Sequence, residues 1–415
     1  MRLLIIIAAL IPSFASAQIG VDEYRNSVVD YSYSLQRASA SVEYYDALLR
    51  FEQTSRLPAL TLSGDFVEQF RSMSGSQEQW SFSLQPQITQ TLYKGGALRA
   101  AVRKAEFAAD AAEADMLNSL LEICYMADYA FYDLAAMRSY REAVDQYVAI
   151  VAALKEVVEL RYNEGYISKG DLLMIETRLS EALYDQIALD EDYTIALQKF
   201  NILRGYSADV LVVQSEVDVE SVAPPVRSSL EELLARRPDY LASQLAEDQA
   251  QSAVVIARAA YNPTISVGVA GQWRSDTPNL NGSTIMDGSL FVRLSAPIFH
   301  FAERRYAVSA AQQLRTSSAL TTLALIDDIR LEESNMWAKI VDSKAQLDAA
   351  RRALAIGGEN LEISTYSYSE GLTTILDVMQ AQISWLQLYA NSILSEFNYL
   401  VSLSAYRRIT AVVTN

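Results

Sequence analysis

The residue types that carry most enzyme chemistry are almost missing from this chain. His300 is its single histidine and Cys124 its single cysteine among 415 residues. A zinc site or a nucleophile–histidine pair has almost no material to be built from. No G-x-S-x-G, H-E-x-x-H or phosphate-binding loop pattern occurs. The expectation is therefore no catalytic residue, no metal ligand set and no cofactor. What remains is carboxylate chemistry, and two aspartates stand out. Tyr162-Asn163-Glu164-Gly165 runs on to Asp171, and 206 residues later Tyr368-Ser369-Glu370-Gly371 runs on to Asp377. Both read Y-x-E-G-x5-D. Such a carboxylate can accept the free N–H groups of a helix start, and Ser168-x-x-Asp171 and Thr374-x-x-Asp377 have the capping-box spacing for it.

The elements around these turns follow from the same residues. Gly165 and Gly371 suit the left-handed position that ends a helix. Before them, from about Ala97 to Asn163 and from about Ala302 to Glu370, no proline interrupts. At ~1.5 Å per residue each stretch makes a helix on the order of 100 Å long. Gly357-Gly358 is expected to loosen or kink the second. After the first turn, Leu172, Ile175, Leu179, Ala182, Leu189, Tyr193, Ala196, Phe200 and Leu203 recur at threes and fours, with Gln186 as the polar interruption. That is a coiled-coil seam. Cys124 falls on the seam of the preceding helix and reads as a small buried residue.

The duplication extends beyond the motif. Leu92-Tyr93 matches Ile298-Phe299, Arg99 matches Arg305, and Ile187, Tyr193 and Leu197 match Ile393, Tyr399 and Leu403, all at the same offset of 206. Each half thus reads as helix, two strands, very long helix, turn, helix. The first repeat is assigned to 18–204, with strands about 57–72 and 79–93 and a helical hairpin about 97–204. An inter-repeat linker follows at 205–228, marked by Pro224-Pro225. The second repeat covers 229–415, with strands about 261–274 and 286–299 and a hairpin about 302–411. Ser228-x-x-Glu231 is expected to cap a helix running towards Tyr261.

All four strands alternate with period two. Leu60, Leu62 and Phe66 oppose Thr61, Ser63 and Asp65; Trp80, Phe82, Leu84, Ile88 and Leu92 oppose Ser81, Ser83, Gln85, Gln87, Thr89 and Thr91. Ile265, Val267, Val269 and Trp273 oppose Ser266, Gln272 and Arg274; Leu290, Val292, Leu294 and Ile298 oppose Ser289, Arg293 and Ser295. Soluble sheets share this pattern. Strand lengths of about 9–14 residues favour a bilayer-spanning barrel, as do aromatics near the ends, with Trp80 and Trp273 at one and Tyr261 at the other. Glu68 on the apolar face and Pro86 inside a strand are misfits, and Pro86 implies a bulge or a broken ladder. Four strands cannot close a barrel, and open edges are not tolerated in lipid. If these strands span a membrane, several chains must share one barrel.

Targeting and charge narrow the class further. Arg2, the apolar run Leu3–Ile11 and Ala15-Ser16-Ala17 form a signal peptide, 1–17, cleaved after Ala17 with no lipid-bearing cysteine beyond it. No later run of 18 apolar residues suggests a membrane helix. A net charge of −17 argues against nucleic acid as a partner. With 51% hydrophobic residues the chain is globular rather than disordered.

Two similar halves, each with a strand pair and a long helical hairpin turning at Y-x-E-G-x5-D, resemble the TolC family of outer-membrane factors. Arg237-Pro238-Asp239 ahead of Tyr261-Asn262-Pro263 adds to the likeness, which spans essentially the whole mature chain. The resemblance implies an α+β membrane protein. Its duplicated protomer would give four strands to a trimeric 12-stranded transmembrane β-barrel, continued by a long periplasmic α-helical barrel. It implies a homotrimer in outer-membrane lipid, partnered by a periplasmic adaptor (membrane fusion protein) and an inner-membrane pump or ABC transporter. The function would be a passive exit duct of a tripartite efflux pump or type I secretion system. The two turns would be the periplasmic tip, with Glu164, Gly165, Glu370 and Gly371 docking the adaptor. Asp377, Asp171 and Tyr368 would form a gate, Asp377 matching the family's acidic ring. Where some members carry an arginine two residues past the glycine stands Thr373, and where some have a second aspartate stands Gln380. A periplasmic coiled-coil structural or adaptor protein of an export system is the alternative, with a soluble sheet and a single hairpin.

Overall fold

The computed structural model describes residues 18–68, 80–217, 219–222, 224–275 and 284–412. The leader assigned to 1–17 and most of both strand-connecting loops fall outside those residues. The chain divides into two compact units. One takes residues 36–118 and 238–328, the other the N-terminal part to 35, 119–237 and 329 onward.

The first unit holds one antiparallel sheet in the order β1 (Ala59–Glu68), β2 (Trp80–Lys94), β3 (Thr264–Ser275), β4 (Thr284–Ser295). Registers place Leu60, Ile88, Val269 and Leu290 in one cross-strand row, and Thr61, Gln87, Ala270 and Ser289 in the next. The apolar face is thus continuous across both repeats. Pro86 opposes Leu62, but pairing between β2 and β3 lapses at Gln85 and Pro86 and resumes in the same register. The missing N–H of proline breaks the ladder there without a bulge. Gly271 faces Pro86, and a Cβ on it would lie 3.5 Å from the proline ring. The register shift lies further on, between Thr91 and Tyr93, so that Tyr93 and not Leu92 opposes Ile265. One extra residue is accommodated there, and Leu92 is exposed, as the apolar row of Leu60 and Ile88 is. Glu68, the other misfit, is the last residue of β1. β4 stops at Ser295, short of Pro297, so Ile298 is not a strand residue.

The second unit is helical. α1 (Val21–Tyr31) packs on α3 (Ala97–Asn163), α4 (Lys169–Leu203) and α8 (Ile375–Ile409). The 22-residue α2 (Tyr33–Thr54), nearly all of it in the first unit, buries no side chain. Tyr24 is fully buried, stacks on Phe200 with centroids 3.8 Å apart, and donates its hydroxyl to the Phe200 carbonyl at 3.0 Å. Burial pushes the Tyr24 phenol up, so it stays a donor. Beside it Arg25 reaches Asp128 at 2.8 Å, and the Ser404 hydroxyl donates to the other Asp128 oxygen at 2.7 Å. Every residue of the α4 seam is buried or half-buried, and Gln186 donates to Asp145 at 2.7 Å. Cys124 is half-buried rather than buried, with burial pushing its thiol up.

Two boundaries differ from the sequence reading. The helix start after the linker is capped by Ser229 and Glu232, one residue later than Ser228 and Glu231. That helix, α5 (Leu230–Arg236), ends at once, and α6 (Pro238–Ala259) begins anew. Proline holds the residue before it extended, and Arg237 has ψ 120. Conversely, α7 (Glu303–Ser369) runs unbroken through Gly357-Gly358. A Cβ on Gly357 would come within 2.5 Å of the end of Leu388, so that glycine permits close packing of α8.

Candidate functional site

The two repeated turns are built identically. Gly165 has φ 81 and Gly371 φ 75, both left-handed. Tyr166 N–H donates to Arg161 O and Gly165 N–H to Tyr162 O; in the second turn Leu372 donates to Ser367 O and Gly371 to Tyr368 O. This is the Schellman closure, which satisfies carbonyls a helix end leaves free. Three residues later the next helix starts. Asp171 Oδ2 accepts from the Ser168 amide at 3.1 Å and Asp377 Oδ2 from the Thr374 amide at 3.1 Å. Ser168 and Thr374 in turn accept from the backbone N–H of Asp171 and Asp377, completing two capping boxes. Both aspartates are therefore helix caps, whatever else they do. Thr374→Ala is expected to cost about 1 kcal/mol, and Gly371→Ala roughly 1–2 kcal/mol of backbone strain. Thermal unfolding of the purified variants checks both.

The second turn binds its carboxylate more tightly. Asp377 Oδ2 accepts from the Thr374 hydroxyl at 2.6 Å, as Asp171 Oδ2 does from Ser168 at 2.9 Å, and in addition from the Thr373 hydroxyl at 2.7 Å, where the first turn has Ile167. These hydrogen bonds hold its carboxyl below the usual aspartate range. Thr373, which stands where an arginine was looked for, thus serves Asp377 directly. Asp377 and Gln380 are exposed, as are Glu164, Gly165, Glu370 and Gly371, whereas Tyr368 is buried against Val151, Val158, Ile175 and Val378. Asp171 and Asp377 are not brought together within the protomer by any hydrogen bond among the described residues.

The sheet is exposed in the opposite sense to a soluble one. In the row Leu60, Ile88, Val269 and Leu290 every side chain is between 48% and 77% exposed. On the other face Ala270 and Gly268 are buried and Gln87 and Thr89 half-buried. On the central strands the apolar side is the more open one, and on β1 and β4 both faces are exposed, Thr61, Ser63, Asp65 and Ser289 included. Among the described residues β1 and β4 each have one neighbour, which leaves two unpaired edges. Trp273 is half-buried and meets Phe82 edge-on at 5.7 Å, two residues from the loop end of β3. Trp80 begins β2 at that same end; its side chain is outside the described residues. Tyr261 precedes β3 at the opposite end and meets the His300 ring at 5.1 Å. The exposed pair Phe299 and Phe301, 4.6 Å apart, extends the aromatics beyond β4. Their adjacency to Pro297 was the signal in the sequence that these rings lie beyond the strand.

No helix among the described residues is long and apolar enough to cross a membrane. An adaptor's soluble β domain would bury its apolar face, which this sheet leaves open. An apolar-out sheet drawn from both halves of a duplicated chain, with two capped helical hairpins, defines an outer-membrane export channel. The chain belongs to the Outer membrane efflux protein family, whose sequence model matches residues 26–204 and 229–411. Nodulation protein T of Rhizobium leguminosarum bv. trifolii is 23% identical over 386 residues, 87% of this chain and 79% of that protein. Outer membrane efflux protein BepC of Brucella suis biovar 1 is 22% identical over 332 residues, 78% of this chain and 72% of its own. The crystal structure of the outer membrane protein VceC from Vibrio cholerae superposes with a TM-score of 0.81 at 19% identity, covering 94% of this chain and 96% of that one. The protein is an exit duct of the outer membrane that extends into the periplasm.

Proposed function

We propose that three copies close one twelve-stranded barrel and that the assembly exports its cargo passively. It would do so with a periplasmic adaptor and an inner-membrane pump or ABC transporter. The observation that carries this reading is the sheet: an exposed apolar face and two free edges on four strands. Barrels need about eight strands or more, and a strand edge in hydrocarbon leaves several kcal/mol of unmet hydrogen bonding per group. Pairing β4 of one copy with β1 of the next removes both edges at once. Light scattering of the detergent-purified protein should return three times the protomer mass, and planar bilayers should show conductance. A water-soluble monomer without conductance overturns the proposal. The cargo, small molecule or protein, is set by the pump, since the duct has no chemistry of its own.

The turns would then form the periplasmic end, with Glu164, Gly165, Glu370 and Gly371 exposed for the adaptor. Three copies of Asp377 would ring the constriction and favour cations, with Asp171 and Tyr368 behind them. Asp377→Asn should abolish that preference in reversal-potential measurements. The sign of the pH effect follows from the hydrogen bonds. The folded carboxyl lies below its ordinary value, so charge and cap persist above that value and are lost only as pH falls through the depressed one. Three like charges in one ring act the other way, so the hydrogen bonds are read by comparison: Thr373→Val should move the loss of cation preference to higher pH than in the wild type.

A further inference from the structure

The two turns of one protomer are tied to each other. Arg161, in the last turn of α3, donates from Nη2 to the carbonyl of Ser369 at 2.7 Å. Its guanidinium carbon stands 4.8 Å from the centre of the Tyr368 ring. Ser369 is the last residue of α7, and the carbonyls of a helix end have no partner within the helix. They also carry the negative end of the helix dipole. α7 has no basic residue in its own last turn, whereas α3 has Arg161. One guanidinium thus serves the negative ends of two helices.

Here the duplication fails. At the offset of 206, Arg161 falls on Ser367, which has no cation to return to the first turn. Tyr368 falls on Tyr162, yet Tyr368 is 4% exposed and Tyr162 half-buried. The Tyr368 ring belongs to a buried cluster with Tyr147, Val151, Ile175 and Val378, and burial pushes its phenol up. A guanidinium over a buried ring and hydrogen-bonded at the same time loses little further freedom on ordering. The contact runs from the first turn to the one that carries Asp377.

We propose that Arg161 is a positioning residue that holds the second turn, and with it Asp377, in its place at the constriction. This rests on reading the turns as the periplasmic end of the duct. The experiment compares the full-length wild type with Arg161→Ala and Arg161→Lys in two measurements. Hydrogen exchange follows the amides of Glu370, Gly371 and Leu372, which all bond within the α7 end. Single-channel recording follows the resting conductance. Arg161→Ala should speed exchange there about tenfold, with helix α1 unchanged, and should raise resting conductance above wild type. Arg161→Lys keeps the cation and loses the planar stack, so it should fall between. Unchanged exchange at Glu370–Leu372 in Arg161→Ala overturns the inference, as does unchanged conductance beside a conducting wild type. A wild type that never conducts overturns the duct reading instead, and the exchange result still decides whether Arg161 ties the turns.

Discussion

Arg25→Ala should lower the protein's stability by about 3–5 kcal/mol, as large a loss as truncating a fully buried aromatic. The side chains of Arg25 and Asp128 are 7% and 6% exposed, and they meet at 2.8 Å. Removing the arginine strands a carboxylate in the core, with the Ser404 hydroxyl as its remaining donor. Asp22, which Arg25 also contacts at 2.7 Å, is exposed and loses little. The burden falls on the packing of α1, because Tyr24 and Val28 on the same helix depend on its seating against α3 and α4. Ser404→Ala removes only one hydrogen bond to a charged group and should cost about 1.5–3 kcal/mol. Replacing Arg25 and Asp128 together by apolar residues should recover most of the loss. Denaturation of the purified variants measures all three, and a loss under about 1 kcal/mol for Arg25→Ala would mean that the pair is not sealed from water.

The second large effect is in the sheet. Leu290→Arg puts a guanidinium in the row it shares with Leu60, Ile88 and Val269. On a lipid-facing position near the bilayer midplane that costs about 2–4 kcal/mol per copy, and the proposed trimer would carry it three times. Ser289→Arg, one residue away on the other face, would meet water and should assemble nearly as wild type. In a soluble protein the two would behave alike, since Ser289 and Leu290 are both exposed in the single chain. Yield of assembled protein in outer-membrane fractions distinguishes the two.

Much of this was legible in the sequence where the physics is local. A Schellman glycine and a capping box span a few residues, so the turns at Gly165–Asp171 and Gly371–Asp377 could be read from residue types alone. The α4 seam and the strand faces are short periods and were equally plain. What escaped was non-local or depended on one residue of register. Arg25 and Asp128 lie 103 positions apart, and nothing in either neighbourhood marks the other. The irregularity between Thr91 and Tyr93 falls where two apolar residues, Leu92 and Tyr93, adjoin, so the alternation does not mark it. Pro238 splits α5 from α6 through a steric effect on Arg237 that hydrophobic pattern does not register. Arg161 was hidden by the repeat itself: aligned halves draw the eye to what they share, and its partner Ser369 has no counterpart contact in the first turn.

The central claim is that these four strands are a wall with lipid on their apolar side and water on the other. Spin labels test it most directly. In a Cys124→Ser background, single cysteines at Leu62, Ser63, Ser289 and Leu290 are labelled and the protein is reconstituted into lipid. Collision rates are then measured with oxygen, which concentrates in the bilayer, and with a polar nickel chelate. The wall predicts oxygen access at 62 and 290, chelate access at 63 and 289, and alternation between neighbours on each strand. Chelate access at 62 and 290 together with shielding at 63 and 289 would contradict it.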